Sequence, residues 1–411
     1  MNIKEVRIGI IGLGYVGLPV LSLFSSKYAC WGLDIDELRI RQLSSGIDVK
    51  GSLSSSEITT LMQHCTISCS WEKISNCNFY IITVPTPINN EKQPDTTALE
   101  KACLSLSQII STGDIIVFES TVYPGATEEL CIPLLESGSK MKSNCDFFVG
   151  YSPERVNVGD NEHGLANTPK IVSAQNEEAL EVIYSVYHEV FNGDIIKASS
   201  IKTAEAAKMY ENVQRDVLIA LANQYSEYCR VEGLNIHEVT DCASTKWNFA
   251  KVFPGLVGGH CISVDPYYLL ARAKEKETTL QLVETARTIN EAKVKHVAKR
   301  IVDFAKQKNS NRVDLRILIL GFSYKRNVGD IRNTKVAELL SILSTAIKNI
   351  DCYDPLVNKE DAKNIYGLDV ITSMSDIPKD EYDLAIVAVK HNRISEVRYN
   401  AKMTVNLEDF I

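Results

Sequence analysis

Cys261 is the residue of this chain whose surroundings best suit covalent chemistry. It follows Gly258 and Gly259 and stands near the start of a stretch predicted to be helical. Glycines let a ligand approach the backbone closely, and a helix start favours a thiolate. Asp265, four residues further on, is expected on the same side as Cys261. The passage predicts a nucleophilic thiol with a carboxylate beside it. Adjacent side chains do not face one another, so His260 is not assigned as the base.

A polar stripe on a long predicted helix is the second candidate. The helix is expected from Ser200 to about Gly233. The stripe consists of residues three, four and three positions apart: Glu205, Lys208, Asn212 and Arg215. Charged helix residues usually form a solvated face. Here the other faces are apolar enough to be buried, which favours a stripe that lines a cleft. There Lys208 could act as a base or stabilise an oxyanion.

A loop near the N-terminus has the spacing of a dinucleotide fingerprint. Gly12-Leu13-Gly14-Tyr15-Val16-Gly17 follows a predicted strand, Val6–Ile11, and precedes a predicted helix. In that context the glycines allow a tight turn and close approach of a pyrophosphate, while the helix start supplies N–H groups. Asp34, which closes the next strand, could accept hydrogen bonds from a ribose diol and would repel a 2′-phosphate. The loop predicts NAD rather than NADP, with an ordinary Gly-rich turn as the alternative.

Two further strand exits are expected at the edge where such sheets bind ligands. They are Val84-Pro85-Thr86-Pro87 and Glu119-Ser120-Thr121-Val122-Tyr123-Pro124-Gly125. Either could be a simple turn. We expect the cofactor to contact residues of both runs, namely Val84, Pro85, Thr86, Ser120 and Thr121.

Composition limits the partners and the compartment. With 44 Lys and Arg against 52 Asp and Glu, the net charge is −8, which opposes binding to nucleic acid or to an anionic membrane. The eleven cysteines are odd in number, and neither a secretory leader nor an apolar run of about 18 residues is evident. A reducing cytoplasm is therefore expected. His64, Cys65, Cys69 and Cys77 match no zinc spacing, so no metal is expected.

The elements that would position these residues suggest two α/β parts. Up to about Lys197, short β-rich runs alternate with helical patterns, which predicts βαβ units and a parallel sheet. Two long helical patterns follow, and the βαβ rhythm resumes at Leu315. The expected fold is α/β, with two Rossmann-like doubly wound sheets joined by a long central helix and a helical dimerisation region. The predicted parts are residues 1–199, which would bind NAD, 200–309, which carry Cys261, and 310–411.

Motifs along the whole chain resemble, in the right order, the UDP-glucose/GDP-mannose dehydrogenase family. Besides the glycine loop and the run Glu119–Gly125, they are Ser152-Pro153-Glu154-Arg155, Ala204-Glu205-x-x-Lys208-x-x-x-Asn212, Gly258-Gly259-His260-Cys261 with Val264-Asp265-Pro266, and Gly321-x-x-x-Lys325 with Asp330-Ile331-Arg332. The resemblance implies two successive NAD⁺-dependent oxidations that convert a sugar C6 alcohol to a carboxylate. It also implies a homodimer built on the long helix and a C-terminal domain that binds a UDP-sugar.

The resemblance assigns the central chemistry to four residues. Cys261 would capture the aldehyde and carry it as a thiohemiacetal and then as a thioester. Lys208, Asn212 and Asp265 would manage protons and stabilise the oxyanion or a bound water. These are the same side chains that the residue pattern selects.

Further roles also follow from the resemblance. Glu154 would assist hydrolysis of the thioester, and Thr121 would help to hold the water. Lys325 and Arg332 would approach the nucleotide ligands, Arg332 on the side of the cofactor. The implied substrate contacts are Glu154, Arg155, Val156, Lys208, Asn212, Arg215, Gly258, Gly259 and Lys325.

Within the family, the runs Tyr151–Asn157 and Lys246–Phe249 are similar to bacterial UDP-N-acetylhexosamine 6-dehydrogenases of capsule, O-antigen and Vi polysaccharide synthesis. UDP-GlcNAc or UDP-GalNAc is therefore the first expectation, with UDP-glucose or UDP-ManNAc as alternatives. Three residues depart from the subgroup pattern: Val158, Leu218 and Ser263. An inactive NAD-binding scaffold is the alternative of a different class, and the joint presence of the proposed catalytic residues argues against it.

Overall fold

Short runs of β-branched and aromatic residues build the larger of two sheets. The computed structural model describes residues 3–155, 164–308 and 314–411. Within these ranges the larger sheet has eight strands: β1 (Arg7–Ile11), β2 (Ala29–Leu33), β3 (Cys65–Ser68), β4 (Phe79–Ile82), β5 (Ile115–Phe118), β6 (Phe148–Tyr151), β7 (Lys170–Ala174) and β8 (Ile195–Lys197). Their order is β3-β2-β1-β4-β5-β6-β7-β8. This is the doubly wound arrangement that the alternating pattern predicts.

One pair in this sheet departs from the parallel arrangement. β6 and β7 are antiparallel, with Tyr151 opposite Ser173, whereas the other neighbouring strands run parallel. Continuing the same register past the end of β6 places Lys170 opposite Glu154. The reversal therefore brings the start of β7 to the edge where the parallel strands end.

Helices cover the larger sheet, and several begin at residues that cap their free N–H groups. They are α1 (Gly17–Phe24), α2 (Glu37–Ser44), α3 (Ser55–His64), α4 (Thr97–Leu106), α5 (Ile132–Ser139) and α6 (Glu177–His188). Asp36 accepts from the first turn of α2, and Ser54 forms a capping box with Glu57 at α3. A π-helical turn, Thr127–Cys131, leads into α5.

The long predicted helix forms, and its burial matches the expectation only in part. It is α7 (Ile201–Val231). Two members of the polar stripe, Glu205 and Lys208, are buried, whereas Tyr210 and Leu221 on other faces are 71% and 60% exposed. The expected burial of the apolar faces holds at Val213 but is wrong at Tyr210 and Leu221, where the helix presents apolar side chains at the surface of this chain.

The C-terminal sheet is smaller and parallel throughout its described strands. α8 (Ile236–Ala243), α9 (Asp265–Glu275) and α10 (Gln281–Lys308) precede it. The sheet itself contains β9 (Arg316–Leu320), β10 (Asn349–Tyr353), β11 (Leu384–Val387) and β12 (Thr404–Asn406), in the order β10-β9-β11-β12. α11 (Lys335–Ser344) and α12 (Lys359–Tyr366) complete this part. Its core joins Val297 and Ile301 of α10 to Ile317 of β9 and Leu339 of α11.

The chain divides into two units. The first comprises Met1–Glu211 and Tyr267–Glu277, and the second comprises Asn212–Pro266 and Thr278–Ile411. The three-part division at residues 199 and 309 stays a prediction. In the part of the chain that the structure describes, no helix is long and apolar enough to cross a membrane.

Candidate active site

The glycine loop of the first unit is shaped by contacts that exclude larger side chains. Gly12 has a φ of +94°, and a Cβ there would lie 3.1 Å from the Thr83 carbonyl oxygen. A Cβ on Gly17 would lie 1.8 Å from the Gly12 carbonyl oxygen, so the start of α1 packs directly on the loop. A Cβ on Gly14, by contrast, would meet only the Lys50 ammonium, at 3.8 Å. The backbone at Gly14 is thus open to an approaching group.

The start of α1 suits a bound pyrophosphate. Val16, which precedes the helix, has no side-chain oxygen to cap the free N–H groups. Such groups and the helix dipole favour an anion. Lys50 adds a positive charge near the loop and lies 5.7 Å from the centre of the Tyr15 ring. These residues fit the expected dinucleotide, and the contacts of Tyr15 and Val16 with it stay predictions.

Asp34 is tied to the glycine loop and also reaches solvent. Its Oδ2 accepts the Leu13 N–H at 2.8 Å, and its Oδ1 accepts the Asp36 N–H at 3.0 Å. The side chain is half-buried. A carboxylate accepts about four hydrogen bonds, so Asp34 has capacity for a ribose diol in addition to holding the loop.

The two other loops that follow strands, Val84-Pro85-Thr86-Pro87 and the run from Glu119 to Gly125, are hydrogen-bonded to each other. The Thr86 hydroxyl donates to the Thr121 carbonyl at 2.6 Å, and the Ser120 hydroxyl donates to the Val84 carbonyl at 2.7 Å. These runs come from β4 and β5, which are adjacent in the sheet. The structure therefore brings the predicted cofactor contacts from both runs to one edge, beside Pro85.

Glu205 of the polar stripe fixes the second of these loops. Its carboxylate accepts the Gly125 N–H at 2.5 Å and the Thr127 N–H at 2.9 Å. The side chain is fully buried. Burial raises the pKa of Glu205 to about 7, although the hydrogen bonds from Thr127 and Gly125 oppose the rise. The sequence predicts that Glu205 lines a cleft, whereas it serves as an internal support for the loop of Thr121.

Lys208 and Glu154 meet within the first unit. The Lys208 ammonium donates to the main-chain carbonyl of Glu154 at 2.5 Å. The Glu154 Oε1 accepts the Arg155 N–H at 2.7 Å, and the Arg155 guanidinium pairs with Glu211 at 2.7 Å. The stripe and the Ser152–Arg155 motif, far apart in sequence, thus form one cluster. Val156 and Val158 lie outside the described residues.

A buried charge cluster adjoins Glu154, and the sequence interpretation missed it. Lys170 donates to Glu119 Oε2 at 2.9 Å and to Glu154 Oε2 at 3.3 Å. The Tyr187 hydroxyl donates to Glu119 Oε1 at 2.5 Å. Burial raises the pKa of Glu119, and for Lys170 the two carboxylates outweigh burial and raise the pKa. The sequence did contain a signal: a charged residue adjoins each of two apolar strands. Glu119 directly follows β5, and Lys170 is the first residue of β7.

In the second unit, Cys261 lies in a turn that ends in the predicted aspartate. The carbonyl of Cys261 accepts the Val264 N–H at 2.9 Å and the Asp265 N–H at 2.8 Å. Asn212 donates its side-chain amide to Asp265 Oδ2 at 2.5 Å. Helix α9 begins at Asp265, so Cys261 precedes the helix by four residues. Cys261 thus lies near a helix start, as expected, in the turn that leads into α9, while the helix dipole acts most directly at Asp265.

Packing within the second unit explains the paired glycines. A Cβ on Gly258 would lie 2.7 Å from the Asn333 carbonyl oxygen, and one on Gly259 would lie 2.8 Å from the Tyr324 ring. The Ser263 hydroxyl and the Asn333 amide both donate to the Gly259 carbonyl, at 2.5 and 3.0 Å. These contacts with the protein itself require glycine, so the spacing alone did not establish approach by a ligand.

His260 and Arg332 belong to one polar group beside this turn. The Arg332 guanidinium pairs with Asp330 at 2.6 Å and lies 3.3 Å from the His260 Nδ1. The His260 ring also meets the Tyr324 ring edge-on, with 5.8 Å between centres. The cofactor contact of Arg332 stays a prediction. Arg215, the last member of the polar stripe, is exposed.

The second sheet has a glycine turn like that of the first, and an aspartate at the end of the neighbouring strand, Asp354, binds it. Gly321 has a φ of +96°. Asp354 Oδ2 accepts the Phe322 N–H at 2.7 Å and the Ser323 N–H at 3.0 Å, and it lies 3.0 Å from the His391 Nε2. Burial would raise the pKa of Asp354, but His391 and the backbone N–H groups lower it. The loop that leads to Lys325 is therefore fixed by a buried carboxylate, while the substrate contact of Lys325 stays a prediction.

The cysteines and acids do not assemble into a metal site in the part of the chain that the structure describes. No group of three His, Cys, Asp or Glu side chains there could hold an ion. All eleven cysteines fall in the described ranges and are free thiols. Burial raises the pKa of Cys65 to about 11 and that of Cys77 to about 12, so both are expected to remain protonated and inert.

The doubly wound sheet and its glycine loop define an NAD-binding α/β protein, and sequence comparison specifies the kind. Three models of one family match in order: the NAD binding domain at residues 6–191, the central domain at 202–292 and the UDP binding domain at 318–408. The chain belongs to the UDP-glucose/GDP-mannose dehydrogenase family, whose members are NAD-dependent nucleotide-sugar dehydrogenases.

Individual relatives match over nearly the whole chain. A UDP-N-acetyl-D-glucosamine 6-dehydrogenase of Salmonella typhi is 42% identical over 396 residues, 96% of this chain and 92% of that protein. One of Pseudomonas aeruginosa is 40% identical over 394 residues, with the same coverage. The solved structure of UDP-D-ManNAc dehydrogenase from Pyrococcus horikoshii is 28% identical, with a TM-score of 0.87 over 99% of this chain and 96% of that one. The family assignment therefore holds for both units.

Proposed function

We propose that this dehydrogenase oxidises the C6 hydroxymethyl group of a UDP-N-acetylhexosamine, UDP-GlcNAc or UDP-GalNAc, to the carboxylate. The names of the two relatives at 40–42% identity support the sugar. The observation that carries the chemistry is the turn of Cys261, which closes on Asp265 while Asp265 is bound by Asn212. This places a thiol, a carboxylate and an amide in one short stretch of structure.

The reaction requires two hydride transfers and one hydrolysis. NAD⁺ held at the glycine loop would supply the hydride acceptor for each oxidation. Of Lys208, Asn212 and Asp265, the two titratable side chains take the proton of the C6 hydroxyl, while the Asn212 amide helps to hold the developing oxyanion or a bound water. The Cys261 thiolate then adds to the aldehyde, and oxidation of this thiohemiacetal leaves a thioester. Thr121 would help to hold the water in the last step.

Glu154 acts in the release of the product. The oxygen of a water molecule bonds to the thioester carbon, and the proton of that water passes to the Glu154 carboxylate. The C–S bond breaks, and Cys261 leaves as the thiolate. One alcohol, two NAD⁺ and one water thus give one carboxylate, two NADH and three protons. Because the aldehyde stays covalently bound, it is not lost between the two oxidations.

A substrate panel tests the sugar. The purified chain is assayed with NAD⁺ and UDP-GlcNAc, UDP-GalNAc, UDP-ManNAc or UDP-glucose, and kcat/KM is compared. We expect the highest kcat/KM with UDP-GlcNAc or UDP-GalNAc, and two NADH for each sugar acid. A preference for UDP-ManNAc, the substrate named for the Pyrococcus structure, or for UDP-glucose would replace the proposed sugar. One NADH per sugar would contradict the four-electron reaction.

Two cysteine variants test the mechanism. Cys261→Ala is expected to abolish formation of the acid, whereas Cys242→Ala, which removes an exposed thiol of the same unit, is expected to keep full activity. Mass spectrometry after acid quench would detect the acyl group on Cys261. Full turnover by Cys261→Ala would overturn the covalent route.

We also propose that α7 forms a homodimer interface. Its exposed side chains Leu221, Tyr225, Tyr228 and Val231 are three or four residues apart and so share one face. An apolar face of this kind is typical of a subunit interface. Light scattering is expected to give twice the chain mass of 45.8 kDa, and Tyr228→Glu is expected to reduce it. Eleven free thiols and a nucleotide-sugar substrate favour the cytoplasm.

A further inference from the structure

We propose that Lys170 is the positioning residue for Glu154, and that Glu119 and Tyr187 are present to hold Lys170 in place. The inference rests on the proposed function, because it concerns the step in which Glu154 releases the acid. It assigns a role to the buried cluster that is formed by Lys170, Glu119, Tyr187 and Glu154.

The backbone brings these side chains together from four separate elements. Lys170 opens β7, and the antiparallel register with β6 sets it opposite Glu154. Glu119 follows the end of β5, and Tyr187 lies on α6. The antiparallel pairing is what places an ammonium at an edge otherwise formed by the ends of parallel strands. A parallel β7 would put Lys170 at the opposite edge of the sheet.

The burial of the cluster decreases toward Glu154. The side chains of Glu119 and Lys170 are 0% and 3% exposed, whereas that of Glu154 is 11% exposed. The Lys170 ammonium also lies 5.8 Å from the centre of the Tyr187 ring and 5.6 Å from that of Phe191. Glu154 is therefore the member through which the cluster reaches the surface of the site.

The charge arrangement suits a carboxylate that must be held in one orientation. One ammonium faces two carboxylates in a buried space, so the two compete for it. The Tyr187 hydroxyl stabilises Glu119 from the far side, which leaves Lys170 able to bind Glu154 as well. A buried ion pair is by itself weak evidence for stability. The contribution of Lys170 here is to hold one Glu154 oxygen, Oε2, while the Arg155 N–H holds Oε1.

This geometry predicts a defect confined to one step. In the hydrolysis, a water oxygen bonds to the thioester carbon, the water proton goes to Glu154, and Cys261 departs as thiolate. Without Lys170 the Oε2 atom of Glu154 loses the ammonium that holds it, so the carboxylate is less well oriented and hydrolysis slows. The hydride transfers and the attack of Cys261 precede that step and do not use Glu154.

The experiment compares Lys170→Met with Lys170→Arg in the full-length protein, with UDP-GlcNAc and NAD⁺ in a rapid-mixing instrument. For Lys170→Met we expect a burst of two NADH per chain and then a steady rate lower by about 100-fold, the scale of general-base catalysis. Because only a late step slows, KM falls with kcat, and kcat/KM stays within about threefold. The acyl group accumulates on Cys261, and Lys170→Arg recovers most of the steady rate.

Lys197 offers a matched control. Lys197 ends β8, pairs with Glu181 and lies 4.4 Å from the centre of the Tyr184 ring. Both partners lie on α6, the helix that carries Tyr187, so this is a Lys–Glu–Tyr contact near the surface. Lys197→Met is expected to leave the burst, kcat and kcat/KM unchanged. An equal loss of kcat and kcat/KM in Lys170→Met would show a merely structural role and overturn the proposal.

Glu154→Gln separates failure of this inference from failure of the proposed function. If Glu154→Gln accumulates the acyl group and Lys170→Met does not, the role of Lys170 is refuted while the thioester route stands. If neither variant accumulates it and Cys261→Ala still forms acid, the covalent route of the proposed function is refuted. Should Lys170→Met not fold, the double variant Glu119→Gln/Lys170→Met removes the second buried charge as well, and the same outcomes apply to it.

Discussion

Replacement of Glu205 by glutamine is expected to change how stability depends on pH. The pKa of Glu205 is about 7 in the folded protein because of burial, against an ordinary value of 4.5. Between these values the folded protein binds more protons than the unfolded protein, so its stability falls as pH rises through this window. The difference of 2.5 corresponds to about 3 kcal/mol. Above pH 7 the loss is complete.

A glutamine side chain cannot ionise, so the Glu205→Gln variant should lack this pH dependence. We expect the wild type to lose about 3 kcal/mol relative to the variant between pH 5 and 8, equivalent to roughly 6–12 °C in melting temperature for a unit of this size. Trp fluorescence can follow the first unit through Trp31 and Trp71, because Trp247 is 92% exposed. Glu57→Gln is the control. Hydrogen bonds from Ser54 lower the pKa of Glu57, so that variant should differ from wild type by a constant amount over this range. If the plots of unfolding free energy against pH were parallel for wild type and Glu205→Gln, the reasoning would be refuted.

Three further substitutions test the site. Lys208→Ala is expected to lower kcat by about 100-fold or more with the melting temperature kept within a few degrees; an unchanged kcat would make it a structural residue only. Ser263→Gly removes the hydroxyl that holds the Gly259 carbonyl and should cost about 1–2 kcal/mol in urea unfolding, whereas no loss would mean that the contact is not formed. Asn223 is buried in the second unit, and Asn223→Ala removes two hydrogen bonds to Gly255, each of 3.0 Å, and one to Asn290 at 2.9 Å. It tests the packing behind the Cys261 segment and should cost about 2 kcal/mol or more; full stability in urea would contradict this.

The sequence was informative where function requires a local pattern. The glycine loop could be predicted because its turn, its helix start and Asp34 all lie within about 25 residues. Asn212 and Asp265 were each selected by spacing on a predicted helix, but the hydrogen bond between them was found only in the structure. The doubly wound fold could be predicted from the alternation of strands and helices. Its short edge strands, β3 and β8, could not be recognised as strands, because they are partly exposed and lack a clear hydrophobic pattern.

The remaining features depend on contacts between distant segments. Lys170 reaches Glu154 only because β7 is antiparallel, and strand direction is not encoded in the composition of a five-residue strand. The apolar face of α7 also illustrates the limit: helical spacing shows that one face is apolar, but not whether this chain or another covers it. The reason for glycine at position 259 could not be predicted either, because the Tyr324 ring that excludes a Cβ there lies 65 positions away in the sequence.

The two acids that follow the first crossovers, Asp34 and Asp354, have consequences for changing nucleotide preference. Asp34 is half-buried and keeps capacity to accept hydrogen bonds, so exchanging it should alter which ribose is tolerated at modest cost to folding. Asp354 is fully buried and already surrounded by backbone N–H groups and His391. An equivalent exchange at Asp354 would damage the fold before it altered any ligand. Substitutions meant to change nucleotide preference should therefore be made at Asp34 of the first sheet. Asp354, the corresponding residue of the second sheet, should be kept because the fold depends on it.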